Sequence, residues 1–244
     1  MTSPRTAPRA ATVRERARAE LTREIKEEAR RQLAATGADG LSLRAVAREL
    51  GMVSSALYRY YPSRDDLLTA LIIDAYNALG EAAERAIAGP PAALDRWTAA
   101  WHAIRDWARA NPHEYALIYG SPVPGYRAPE ATIGPAARVP LAFVGIIRDA
   151  LSAGEFTADS EALPVAGALA RQADELSAAL ARSTAAAEPP GIAPDALVRA
   201  VIAWSQLFGM ISFELFGQFI GSFEPADALF AHAAAQSAAL VGLR

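Results

Sequence analysis

Apolar side chains along this chain recur every three or four positions and almost never alternate. Leu21, Ile25, Ala29 and Leu33 set the pattern, one residue per helical turn on one face. Alanine fills many of the remaining positions, so local propensity agrees with the period. The expected fold class is therefore all-α, with no strand and no internal repeat. Glycine and proline punctuate the pattern. A first helix is predicted from about Arg14 to Thr36, ended by Gly37. Ser42 is placed to cap a short helix over 43–50 that Gly51 stops. A third short helix runs from Ser54 to about Tyr60, before Pro62. Ser63 and Asp66 have the spacing of a capping box and open a fourth helix to about Ala88. Further helices are expected over 93–110, from Pro112 behind an Asn111 cap, and over 136–153, 160–184, 194–220 and 225–241. The Pro/Gly-rich stretch 120–135 is long for a loop in a compact domain.

Charge divides the chain more sharply than its total of −3 suggests. Residues 1–65 hold 13 Lys and Arg against 8 Asp and Glu, a net +5; residues 66–244 hold 11 against 19, a net −8. A basic head ahead of an acidic body points to an anionic partner for the head. The expected organisation is a mobile basic arm over 1–13, a small domain over 14–65 and a larger helical domain over 66–244. Arg14, Arg16 and Arg18 either extend the arm toward an anion or solvate a helix end.

Several classes are excluded. An apolar share of 52% is too high for a mainly disordered chain. With no cysteine there is no disulfide framework, Cys-ligated zinc or thiol chemistry, and a reducing, cytoplasmic setting fits. Residues 1–16 lack the apolar core of a secretory signal. The stretch 200–223 is nearly uncharged, but Glu214 lies in its middle, which favours a buried helix over a membrane span. The histidines, His102, His113 and His232, have no metal-type partner three or four positions away. No nucleophile elbow, phosphate loop or H-E-x-x-H pattern occurs. No enzyme activity, metal or cofactor is expected.

Three short helices ending at a proline have the layout of a helix-turn-helix unit, with 43–50 as its second helix, Gly51-Met52-Val53 as the turn and 54–60 as the recognition helix. Leu57 and Tyr61 can pack inward together. Small Ser54, Ser55 and Ala56 would let the backbone approach base edges. Tyr58 and Tyr60 offer hydroxyls, and Arg44, Arg59 and Arg64 supply cations, the groups that bind phosphates.

The segment from about Leu21 to Leu68, ending GLSLRAVARELGMVSSALYRYYPSRDDLL, resembles the DNA-binding domain of TetR-family transcriptional regulators. Val53 stands in the turn where the family usually has Ser or Thr, which leaves Ser54 to cap instead. By position, the resemblance implies phosphate contacts for Ser42, Arg44, Tyr58, Tyr60 and Arg64. It places Ser55, Ala56 and Arg59 near base edges. It also implies a homodimer on a near-palindromic double-stranded DNA operator, and a C-terminal bundle that pairs subunits and encloses a small-molecule ligand. The expected function is a repressor released by an apolar ligand. A helical ligand-binding protein without DNA activity, an activator and a ligand-independent regulator stay open.

Trp204, Phe208 and Gly209 resemble the branch of the family named for a Trp-His-Gly motif, with Phe208 where the His stands. Physically, Trp97, Trp101 and Ile104 share one helix face. Tyr115, Tyr119, Phe143, Ile147, Trp204 and Phe208 add bulk on neighbouring helices. Such aromatics either fill a core or line an apolar ligand site. Glu214 is left to bind a ligand or cross a dimer seam. Ala200, Ala203, Gly209 and Gly217 are small enough to allow close helix approach there.

Overall fold

A computed structural model describes residues 12–89, 91–157, 163–183 and 191–243. Among them every regular element is helical; the one β-type pairing is an isolated bridge from Phe156 to Leu243. Contacts divide the chain into two units. One comprises residues up to Leu71 together with Pro122–Arg127; the other comprises Ile72–Ser121 and Ala128 onward. The basic arm expected over 1–13 lies outside the described residues except for Thr12 and Val13.

In the first unit, α1 spans Val13–Thr36. It begins one residue before the expected start because Thr12 and Glu15 form a reciprocal capping box, so two otherwise orphaned N–H groups are satisfied. Gly37 closes the helix with φ +70°, a conformation that favours glycine. Helix α2 spans Leu43–Glu49 behind the Ser42 cap, and α3 spans only Ser54–Leu57. The third helix is shorter than the expected 54–60 because its end tightens. The amides of Arg59 and Tyr60 bond three residues back, to Ala56 and Leu57, and Pro62 prevents continuation. Ser54 does not cap it either. Val53 occupies the cap position without a side-chain bond, and Ser54 is already helical. Ile25, Ala29, Leu33, Leu43, Val46, Leu57 and Tyr61 form the buried centre of this unit. Helix α4 spans Arg64–Ile87, and the Ser63 hydroxyl oxygen accepts the Asp66 amide at 3.1 Å.

In the second unit, α5 (Ala93–Ala110), α6 (Pro112–Tyr119), α7 (Ile133–Ala153), α9 (Pro194–Leu215) and α10 (Asp227–Val241) build a core of aliphatic and aromatic side chains, against which α8 (Gly167–Ser183) packs Leu180. Asn111 does not cap α6 with its side chain; its amide donates back to the Trp107 carbonyl and closes α5 instead. Helix α7 starts before residue 136 because the Pro/Gly stretch tightens into a 3-10 turn over Glu130–Thr132. Helix α8 starts at Gly167, later than predicted. Helix α9 stops at Leu215, short of residue 220. There Gly217 turns left-handed at φ +77° and the Gln218 amide reaches back to the Phe213 carbonyl, a glycine-dependent helix stop.

Glu214, the lone acid of that apolar helix, is paired inside the unit. Arg105 of α5 donates to both its oxygens at 2.7 Å, donates a third bond to Asp227 at 2.9 Å, and lies over the Phe230 ring. A fork-to-fork pair of this kind satisfies the guanidinium geometrically as well as electrically. Ala200 and Ala203 are buried in the same bundle and so are not free for a subunit seam.

Arg138 of α7 makes a comparable fork onto Glu84 at 2.6 and 2.8 Å and donates to Asn77. Its hydrogen bonds hold the Glu84 carboxyl below the ordinary value of 4.5. A depressed carboxylate stabilises the fold above its unfolded pKa and loses that contribution as pH falls through the folded one. Wild type should therefore melt above Glu84→Gln near neutral pH, and the gap should narrow as pH falls below 4.5 and vanish only once the folded carboxylate is protonated. A gap independent of pH in thermal melts would refute the assignment.

Candidate functional site

The first unit has one side on which the sequence-derived cations and hydroxyls meet. Leu41, Ser42, Leu43, Arg44, Tyr58, Pro62, Ser63 and Arg64 line an open groove of about 470 Å³. Its geometry follows from three helix boundaries. Ser42 and Arg44 sit at the start of α2, Tyr58 immediately follows α3, and Ser63 and Arg64 begin α4. Each side chain keeps chemistry available at the rim. The Ser42 oxygen accepts the Ala45 amide at 3.4 Å, which leaves its own O–H to donate elsewhere. Arg44 is exposed, and Tyr58 is 41% exposed although large and aromatic. Arg64 is partly committed: its guanidinium donates to the Ala38 carbonyl at 2.7 Å and lies 3.6 Å from Asp65.

The remaining candidates fall outside this lining. Ser55 and Arg59 are exposed on and just after α3, and Ser54 and Ala56 are half-buried beside them. Tyr60 is half-buried, with the Arg18 guanidinium 5.7 Å from its ring centroid. That contact gives Arg18 a partner within the unit and leaves Tyr60 less free than a simple surface hydroxyl. Val53 is 70% exposed, which is unusual for an apolar turn residue. Ser63, which caps α4, and Pro62, which ends the preceding turn, also line the groove.

The second unit sorts the nine candidate ligand residues into two groups. Trp97, Trp101, Ile104, Tyr115 and Ile147 are fully buried core. The Trp97 indole donates to the Ser237 hydroxyl at 2.9 Å, and the Tyr115 hydroxyl meets the Phe208 carbonyl and Ser212. Burial pushes the Tyr115 phenol up to about 12. The other group surrounds an apolar cavity of about 290 Å³ between α7, α8 and α9. Phe143 and Trp204 line it, together with Pro140, Leu141, Val144 and Leu180 among others. Phe208 and Tyr119 stand behind that wall. Trp204 meets Phe208 edge-on at 5.5 Å, and Phe208 stacks on Tyr119 at 4.0 Å. The aliphatic lining from α8, Leu176 and Leu180, carries no aromatic signal; their four-residue spacing is the mark it leaves in the sequence.

Among the described residues no cluster of His, Asp and Glu could hold a metal ion. Helices α7 and α9 are long and apolar enough to cross a membrane by length and composition, yet both pack into the bundle of the second unit.

Comparison with known proteins agrees with both halves of this description. The family described as bacterial regulatory proteins, tetR family, matches residues 25–71. The description Tetracyclin repressor-like, C-terminal domain, matches residues 97–236. HTH-type transcriptional regulator Rv1816 of Mycobacterium tuberculosis is 43% identical over 209 residues, covering 83% of this chain and 84% of the relative. The same figures hold for HTH-type transcriptional regulator Mb1846 of Mycobacterium bovis. Among solved structures, regulatory protein SCO4313 is 37% identical with a TM-score of 0.70, covering 93% of this chain and 98% of that one. A TetR-family regulator from Marinobacter aquaeolei VT8, at 16% identity and a TM-score of 0.61 over 94% of this chain and 100% of that one, shares the fold. With a tetR-family match over residues 25–71, a repressor-like C-terminal match over 97–236 and relatives that are transcriptional regulators, the chain belongs to the TetR family of transcriptional regulators.

Proposed function

We propose that this protein is a cytoplasmic, homodimeric repressor that holds a near-palindromic DNA operator and releases it when a small apolar ligand occupies the second unit. The groove carries this reading. It places Ser42, Arg44, Tyr58 and Arg64 around one open concavity beside α3. Hydroxyl and guanidinium donors arranged in this way suit successive phosphates, which fix a protein on the duplex. Ser54, Ser55, Ala56 and Arg59 would then face base edges, and Tyr60 a further phosphate. In this reading residues 14–65 act as the DNA-binding domain and 66–244 as the ligand-binding and dimerisation domain.

Dimerisation is supported by an apolar groove between α8 and α9 that leaves Leu169, Leu176, Val201 and Ile202 exposed. A contiguous apolar surface of this kind on a regulator marks a protein partner, and a two-fold pair would present two copies of α3 to successive major grooves. The cavity supplies a place for the ligand. Ligand release requires only that the ligand bind one subunit arrangement better than the DNA-bound one.

Selection of bound sequences from a random DNA pool tests the proposal. The expected product is a near-palindrome with half-sites about 34–36 Å apart, one helical turn, bound more weakly as salt rises. Failure to enrich any sequence would leave the helical ligand-binding protein as the reading. An enriched site without two-fold symmetry would remove the dimer.

A further inference from the structure

We propose that the apolar cavity between α7, α8 and α9 is one subunit's part of a ligand chamber that a second copy of this chain closes, so that ligand binding and subunit pairing reinforce each other. This deepens the proposed function and rests on it, since it makes one subunit's ligand site depend on the other subunit.

Three observations converge. First, the cavity is half open among the described residues. Its mouth is marked by lining residues that stay exposed: Leu141 of α7 at 42%, Leu176 of α8 at 42% and Val201 of α9 at 44%. A ligand held by one subunit would leave apolar surface in water there. Second, Leu176, Leu197 and Val201 line both this cavity and the outer groove between α8 and α9. A partner seated on the groove therefore reaches the rim of the mouth. Third, the groove suits an identical face. No charged side chain lines it. Residues 66–244 carry a net −8, so two copies repel least where they meet on an uncharged surface.

The size of the face agrees. Helices α8 and α9 span 17 and 22 residues. The face is then about 25–33 Å long and, across two helices, about 20 Å wide. Its flat projection is on the order of 600 Å², comparable with the roughly 800 Å² that each partner of a stable pair buries.

The partner acts as a lid rather than a plug. The exposed side chains that the groove offers are Leu169, Leu176, Val201 and Ile202, all small aliphatics. A benzene ring, larger than any of them, sits in an engineered apolar cavity of about 150 Å³. One inserted side chain would leave much of the 290 Å³ empty. Pairing without ligand thus encloses a void whose lining lacks contact partners, and ligand without pairing stays wet at the mouth. Each event supplies what the other lacks.

The test uses the full chain and N-phenyl-1-naphthylamine, a neutral aromatic dye that brightens on leaving water. Sedimentation over a concentration series gives the dimer dissociation constant with and without saturating dye. Covering roughly 50 Å² of apolar dye surface is worth about tenfold per site. With one site per subunit, saturation should tighten the dimer about a hundredfold, and pairing should tighten dye binding by the reciprocal factor. Ile202→Glu places a charge in the groove but outside the cavity; it should be monomeric and bind dye about tenfold more weakly. Ala137→Trp fills the cavity from α7 without touching the groove; it should pair as wild type does and lose the dye effect. The wild-type comparison needs no variant to fold. Dye that leaves the dimer constant unchanged would show a chamber complete in one subunit, and dye that weakens the dimer would show a plug. Either result overturns the proposal, as does a dye effect that survives Ala137→Trp, a fully dimeric Ile202→Glu, or no dye binding. Operator binding in the same samples separates the two levels. A dimer tightened by dye without loss of DNA refutes ligand-controlled release and leaves the shared chamber standing. A palindromic operator bound by a dimer that Ile202→Glu leaves intact does the opposite.

Discussion

Replacing Arg105 by alanine should destabilise the second unit by about 3 kcal/mol, near the lower end of the cost of breaking a buried ion pair. In a chain of this size that lowers the melting temperature by roughly 6–12 °C. Arg105 is only 3% exposed, and its guanidinium makes three bonds to Glu214 and Asp227 and lies over the Phe230 ring, so alanine removes charge and packing together. The larger part of the loss comes from what is left behind. Glu214 sits in an apolar stretch with its side chain 18% exposed, and Arg109, 3.9 Å away, is a poor substitute for a bidentate fork. The double variant Arg105→Met with Glu214→Leu should therefore recover most of the stability, because no charge is then stranded. Calorimetric melting of the single and double variants decides this. If Arg105→Ala melts within a degree of wild type, the network is ornamental.

The second large effect is expected on DNA. Arg44→Ala should weaken binding to a symmetric site by about 10²–10⁴-fold. A hydrogen bond to a charged group is worth about 1.5–3 kcal/mol, and a dimer would lose one in each half-site. The slope of log affinity against log salt should fall by about 2, one phosphate per subunit. Thermal stability should stay within about 0.5 kcal/mol, because Arg44 is exposed. Arg64→Ala gives the contrast. It should reduce both affinity and stability, since Arg64 also ties the Ala38 carbonyl to the start of α4. Titrations at several salt concentrations, paired with melting curves, distinguish these outcomes. An unchanged salt slope in Arg44→Ala would remove that residue from the interface.

Helix boundaries follow from the sequence where their determinants are local. Helix α5 begins and ends where its pattern says, at Ala93 and Ala110. The Ser42 cap and the Gly37 stop need only their neighbours. The expected third helix failed at its end for a reason that is also local but quantitative: the run Tyr58–Tyr61 leaves the α-helix before the proline rather than at it. Partners far apart in the chain were not legible. The sequence alone leaves Glu214 an unpaired acid because its counter-ion lies 109 positions away, and it leaves Trp97 a ligand candidate because Ser237, which satisfies its indole, lies 140 positions on. Aromatic content in a bundle thus marks where a cavity can exist. Which aromatics line it depends on the aliphatic residues that α7 and α8 contribute.

The short stretch Pro122–Arg127 clusters with the first unit although α6 and α7 on either side of it belong to the second, and the Tyr126 hydroxyl lies 2.9 Å from that of Thr69. The chain therefore leaves the basic head, returns to it for six residues and leaves again. A chimera made by one cut at Leu71 would transplant Thr69 without Tyr126. Recombination between relatives would preserve that pairing only if it exchanged two separate pieces. In modular terms the head is discontinuous, and a graft meant to redirect this regulator to a new operator has to bring Tyr126 along with the helix-turn-helix.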